Sequence, residues 1–180
     1  MTTPRLAPLT RAELSEEQRR LVDFPGGDKN IFTTFVRHPE LFDVFYGFAG
    51  RLLRQSSLPD DVRETLILRT AYQCRADYEW AQHVGIARQS GISEAAITAL
   101  GAAEPEAPDE HTALLIRAAD QLATERDLDD RTWAALSEHY DEQQLIELCM
   151  LVGNYAMIAG VLKAVRVPLD DGLLPPPWRR

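Results

Sequence analysis

Cysteine is scarce in this chain. Cys74 and Cys149 are the only two among 180 residues, far apart and outside any Cys-x-x-Cys, so neither a disulfide framework nor a paired-thiol motif is available. Aromatic residues make up 8%, and runs alternating apolar with polar are almost absent, which argues against a β-sandwich or barrel. Positive charge is also short: 19 Lys and Arg against 28 Asp and Glu give a net charge of -9, which repels phosphate backbones and anionic lipid surfaces. The arginines are scattered, and the one terminal pair, Arg179-Arg180, is a tail, so neither nucleic acid nor a membrane is an expected partner. No apolar stretch is expected to reach the eighteen or so residues of a membrane span, and Met1-Thr2-Thr3-Pro4-Arg5 leads into polar residues rather than a signal sequence. The cytoplasm is the expected location. A Gly-rich phosphate loop and a nucleophile elbow are missing as well.

What remains is helical. With 45% apolar residues the chain can build a real core, and apolar positions recur at helical spacing, predicting one all-α domain over 1–180 with about eight helices. Thr10 with Glu13 reads as a capping box opening a helix to Val22, which ends at Phe24-Pro25-Gly26-Gly27. Asn30 is expected to cap a short helix to Arg37, and Pro39 to open a longer one through Leu53. Further helices are expected from Leu58 to about Cys74 and from Tyr78 to Ser90, the latter stopped by Gly91. A short helix over 93–100 and an acidic linker over 102–108 precede helices over 109–125, 129–140 and 141–166. The tail, 168–180, should be extended, with Leu173, Leu174 and Trp178 docking elsewhere. Val62–Tyr72 aligns weakly with Leu145–Tyr155, so a duplicated helical half is an open alternative.

Glu64 heads an apolar stripe containing Ile67, Leu68 and Ala71, an unusual place for a charge. One helix later, Ala76, Glu79, Trp80, His83 and Ile86 share a face, with Glu79 one turn before His83. A carboxylate and an imidazole on a partly apolar face suit proton transfer near neutral pH. The same spacing also fits a solvated Glu–His helix pair, with Trp80 simply core. Arg69 could anchor a substrate carboxylate, or pair with a nearby acid. His38, His111 and His139 lie in polar helix-end contexts and read as surface. Glu64, Glu79 and His83 could also ligate a divalent ion, although a lone Glu-x-x-x-His is a weak signal.

Glu64-Thr65-Leu66-Ile67-Leu68-Arg69-Thr70-Ala71, Cys74-Arg75-Ala76-Asp77-Tyr78-Glu79-Trp80-Ala81-Gln82-His83 and Ala87-Arg88-Gln89-Ser90-Gly91-Ile92-Ser93 resemble the carboxymuconolactone decarboxylase and alkylhydroperoxidase D superfamily, best over 59–100. In the peroxidase branch a glutamate is followed, after eleven residues, by Cys-x-x-Cys and then, after three more, by a histidine. Glu64 and His83 hold the outer positions, but Ala76 and Glu79 replace the two cysteines. Neither can reduce a peroxide through a sulfenic acid. The resemblance therefore leans to the decarboxylase branch, which implies catalysis by His83, Glu79 and Glu64, with His83 held by Glu79. It further implies a substrate pocket shaped by Trp80, Tyr72 and Tyr78, no metal, no cofactor, and a homo-oligomer, trimer or hexamer.

The expected function is a cofactor-independent lyase acting on a small carboxylated lactone or cyclic carbonyl compound. Peroxiredoxin-like antioxidant activity and a catalytically silent helical oligomer are the alternatives. Cys74 sits two residues before the first cysteine position, which on a continuous helix turns it about 200° away. Cys74→Ser and Cys149→Ser are accordingly expected to leave activity intact and to cost only packing. An intramolecular Cys74–Cys149 disulfide, seen by mass spectrometry and needed for turnover, would reverse that assignment.

Overall fold

Six of the nine α-helices among the described residues start at a side chain that accepts a backbone N–H, so local capping chemistry sets most of the element boundaries. The structure is a computed structural model describing residues 3–25 and 27–179; Gly26 of the expected first helix stop and Arg180 of the tail pair lie outside the described residues. The elements are α1 Glu16–Asp23, α2 Asn30–Phe35, α3 Pro39–Arg54, α4 Asp60–Gln73, α5 Asp77–Gln89, α6 Glu94–Leu100, α7 Glu110–Thr124, α8 Asp130–Ser137 and α9 Glu142–Val165, then a tail ending in a 3-10 turn at Pro177–Arg179. The all-α reading holds. The first two boundaries differ from expectation. Thr10 donates its N–H and hydroxyl to Glu13, which closes a turn that buries Leu14, while the capping box that opens α1 is Ser15 with Gln18. Asn30 caps nothing: its amide donates to the carbonyls of Pro168 and Leu169, fastening α2 to the tail.

The fold is organised around α4, which packs against α5, α6, α7 and α9. Every residue from Val62 to Tyr72 is buried. Leu66 and Ile67 join Leu115, Leu148 and Leu151 of α7 and α9, whereas Leu68 and Ala71 join Trp80, Ile97 and Leu100 of α5 and α6. The turn into α5 passes through Arg75 at φ 52°, a left-handed conformation that costs a residue with a Cβ about 1–2 kcal/mol. Its guanidinium lies 4.1 Å from the Tyr72 ring centroid and donates to the Tyr72 hydroxyl, which offsets part of that cost. Because the helix breaks here, the rotation expected to separate Cys74 from Ala76 does not apply. Both cysteines are free and half-buried, and burial pushes both thiols up, so neither is an activated nucleophile. The weakly repeated helices, α4 and α9, pack together, yet their aligned acids differ: Glu64 is buried, while Glu147 accepts from the N–H and hydroxyl of Ser57.

The tail docks on its own subunit. Trp178 packs edge-on against Trp80 and Tyr72 at centroid distances of 5.0 and 5.5 Å, and its Nε1–H donates to Asp77. Glycine at position 101 is required beside it: a Cβ there would lie 2.8 Å from Pro177 and 2.9 Å from Trp80. Leu174, by contrast, is left exposed.

One expectation about the whole chain fails at α9. This 24-residue helix is long and apolar enough to cross a membrane, with a mean hydropathy of 1.9 over its best window, half of which is buried inside the fold. Its apolar residues run all round the helix but are divided by Glu147, Gly153-Asn154 and Lys163, so the sequence shows no single unbroken apolar run. The buried side carries Leu148, Leu151, Tyr155 and Leu162, and the other side exposes Ile146, Met150, Met157 and Val161. Such a stripe is covered, in a stable protein, by another surface. We expect the protein to self-associate through the stripe's Ile146–Met150 end; light scattering should give a mass well above the 20.2 kDa of one chain at micromolar concentration, and Met150→Glu should lower it.

Candidate functional site

Glu64 projects from the middle of α4 and is fully buried. An isolated carboxylate there would face a desolvation cost of several kcal/mol, so its oxygens need partners. They have two. Arg63 Nε–H donates to Oε1 at 3.2 Å, and the His83 ring meets Oε2 through Nδ1 at 2.7 Å. Arg63 in turn donates to Asp60 at 2.6 Å, so a charged chain runs from the solvent-facing start of α4 to the imidazole on α5. With Nδ1–H donated to the carboxylate, Nε2 of His83 is left as the working nitrogen. The Tyr155 ring of α9 meets the imidazole edge to face, at 5.1 Å between centroids.

Glu79, at the third position of α5, is buried just as deeply, but both of its carboxyl oxygens lack a hydrogen-bond partner among the described residues. Burial alone holds its carboxyl well above the usual carboxylate range, which favours the neutral acid. This corrects the expected role of Glu79: His83 is held by Glu64 and not by the residue one turn before it. The physical reason is that α4 crosses α5 closely enough to bring a carboxylate over the imidazole, a contact between residues 19 apart in sequence. Tyr155, which no spacing argument singles out, joins the cluster. Burial first, and then the nearness of the Glu64 and Glu79 carboxyls, raises its hydroxyl far above the ordinary tyrosine range, so both acids lie beside one phenol.

The other expected site residues are placed elsewhere. Arg69 is saturated by its own chain, donating Nε–H and Nη2–H to the two Asp120 oxygens at 2.5 and 2.8 Å and Nη1–H to the carbonyls of Leu100 and Ala102. It serves as an internal brace, with no free fork for a substrate carboxylate. Tyr72 and Trp80 receive the tail through Trp178, and Tyr78 donates its hydroxyl to Asp170 at 2.7 Å while accepting from the Ile31 N–H. These three rings thus fasten chain segments. His38 and His139 are exposed, as expected, but His111 is half-buried and bonded to the Tyr140 hydroxyl at 2.8 Å. Three surface clefts among the described residues are lined without Glu64, Glu79 or His83.

Comparison with known proteins follows the same outline. The sequence model of the Carboxymuconolactone decarboxylase family matches residues 39–120, the stretch that holds α3 to α7 and both site helices. No curated protein sequence matches. Among solved structures, an uncharacterized peroxidase-related protein from Silicibacter sp. TM1040 superposes with a TM-score of 0.79 at 17% identity, covering 95% of this chain and 96% of that one. The alkylhydroperoxidase AhpD core of a peroxidase-related protein from Ralstonia eutropha JMP134 gives 0.76 at 16%, covering 94% and 95%. The debrominase Bmp8, as a cysteine-to-alanine variant in complex with 2,3,4-tribromopyrrole, gives 0.74 at 17%, covering 95% and 94%. At these identities the likeness is one of fold. Taken together, over residues 39–120 the chain is similar to the Carboxymuconolactone decarboxylase family, and its fold is that of the alkylhydroperoxidase D-like proteins.

Proposed function

We propose that the protein is a cofactor-independent lyase resembling carboxymuconolactone decarboxylase, acting on a small carboxylated lactone or cyclic carbonyl compound. The observation that carries this reading is the unpartnered carboxyl of Glu79 in the same cluster as the bonded Glu64–His83 pair. In decarboxylation the bond to the carboxylate carbon breaks, carbon dioxide leaves, and the electron pair passes into a neighbouring carbonyl as an enolate. Carbon is then protonated. A carboxylic acid kept neutral by burial can donate a hydrogen bond to the enolate oxygen, and Glu79 fills that role. His83 delivers the proton from Nε2 and recovers it from solvent, with Glu64 fixing the ring and stabilising its charged form.

A peroxidase reading is disfavoured because Ala76 and Glu79 stand where a dithiol would be needed. That Glu64, Glu79 and His83 line none of these three clefts favours, as a second reading, a catalytically silent helical protein. The purified protein, given a panel of carboxylated lactones, is expected to liberate carbon dioxide. Consumption of hydroperoxide with a dithiol would support the antioxidant activity, and neither reaction the silent protein.

Once a substrate is found, His83→Ala should cost about 10²- to 10⁴-fold in kcat with unchanged helical circular dichroism. Glu64→Gln should be nearly as damaging, because an amide N–H would face the Nδ1–H and force the other tautomer. Glu79→Gln, which keeps a donor, should be milder, whereas His38→Ala and His139→Ala should be silent. A fully active His83→Ala protein, or one inactive only because it is unfolded, would defeat the assignment.

Glu79 also makes a pH prediction that needs no substrate. Burial raises its carboxyl in the folded state, and the unfolded chain ionises it near its ordinary value, so above about pH 4.3 the unfolded state holds fewer protons than the native one. Stability should therefore fall as pH rises, by up to about 1.4 kcal/mol per pH unit, until the native carboxyl ionises. Urea denaturation at pH 5 and pH 8 should show Glu79→Gln gaining on the natural protein at the higher pH; an equal difference at both would mean that Glu79 is ionised when folded.

A further inference from the structure

A cleft of about 350 Å³ lies between α2, α3 and α9 on a part of the surface that Glu64, Glu79 and His83 do not reach. Its walls are apolar: Leu41, Phe42 and Phe45 of α3 face Met157, Ile158 and Val161 of α9. Three polar groups break this lining. Arg37 is exposed at the cleft and spends only one Nη2–H on the protein, donating to the Ala7 carbonyl at 2.7 Å. Glu13, whose carboxyl feels the Arg37 charge but makes no ion pair with it, already accepts twice from Thr10. His38 accepts the Leu41 N–H at Nδ1, which puts the ring proton on Nε2 and leaves that donor free. Thr34, a third lining residue, is 3% exposed, and its hydroxyl has no partner among the described residues. An acidic protein has thus placed two donors and a buried, unsatisfied hydroxyl beside an apolar cleft, without an acid committed to them.

From this we infer a second binding site, for a small amphipathic monocarboxylate. Its hydrocarbon or ring body would lie between α3 and α9, and its carboxylate would bond to the Arg37 guanidinium and His38 Nε2–H. Cleft size and lining are those of a small-molecule site, with apolar walls supplying affinity and a few polar groups supplying orientation. The guanidinium fork selects a carboxylate over a neutral head group.

Octanoate and octan-1-ol are the probes, compared by titration calorimetry on the full chain. Octanoate should bind saturably at one site per subunit, at least about tenfold more tightly than octan-1-ol, the size of one charge-assisted hydrogen bond. Arg37→Gln, at an exposed position, should keep its melting temperature and lose about tenfold in octanoate affinity, leaving octan-1-ol unaffected. Met157→Glu should weaken both. Equal binding of acid and alcohol, or an indifferent Arg37→Gln, would reduce the cleft to bare apolar surface and overturn the inference. So would an unliganded dimer that Met157→Glu dissociates and that takes up no octanoate, because a second copy would then be the occupant. Since Glu64, Glu79 and His83 do not line the cleft, none of these outcomes bears on the lyase reading.

Discussion

A helix that is buried on every side has no solvent face on which to put a charge. α4 nonetheless carries Arg63, Glu64 and Arg69 within its buried stretch, and most of the arrangement around it follows from finding partners for them. Arg69 reaches Asp120 on α7 and the carbonyls at the end of α6, so one guanidinium fixes two neighbouring elements. Glu64 binds α5 through His83, and Arg63 leads the chain of charge back to Asp60 at the helix start. The Glu64–His83 pair is buried on both sides, and removing His83 would strand a desolvated charge, a loss of about 3–5 kcal/mol.

Set against these satisfied groups, Glu79 is the exception. Two carboxyls lie beside the same Tyr155 hydroxyl, yet one is held by an arginine and an imidazole and the other by nothing among the described residues. The difference lies in their helices: Glu64 sits mid-helix opposite a crossing partner, while Glu79 sits in the first turn of α5, just after the break at Arg75. Natural cores rarely leave a carboxyl unpartnered, and such exceptions concentrate where chemistry or ligand binding uses the stored desolvation.

Elements with local signals were legible in the sequence. Ser93, Asp109, Asp129 and Asp141 mark helix starts by their own side chains, and Gly91, at φ 89°, marks a stop, so those ends agree closely with expectation. Glu64 and His83 stood out because a charge in an apolar stripe is visible without a structure. Their pairing was not legible, since helical spacing ranks only neighbours on one helix and favours Glu79 as the partner. The fates of Arg69, Tyr72, Trp80 and Tyr78 were hidden for the same reason: Asp120, Trp178 and Asp170 lie 51 to 106 positions away and meet them only through packing. α9 is not legible as a long apolar helix because Glu147, Gly153-Asn154 and Lys163 divide its apolar residues into short stretches that only a window average joins.

The docked tail has an optical consequence. Trp178 and Trp80 stand 5.0 Å apart at 74°, close enough for their indole transitions to couple, and Tyr72 and Arg75 hold the same rings in an asymmetric setting. Trp133, the remaining tryptophan, is half exposed on α8 and has no such neighbour among the described aromatic rings. Near-ultraviolet circular dichroism is therefore expected to respond to the contact between Trp178 of the tail and Trp80 of α5. The protein carries its own spectroscopic gauge of whether that end is seated.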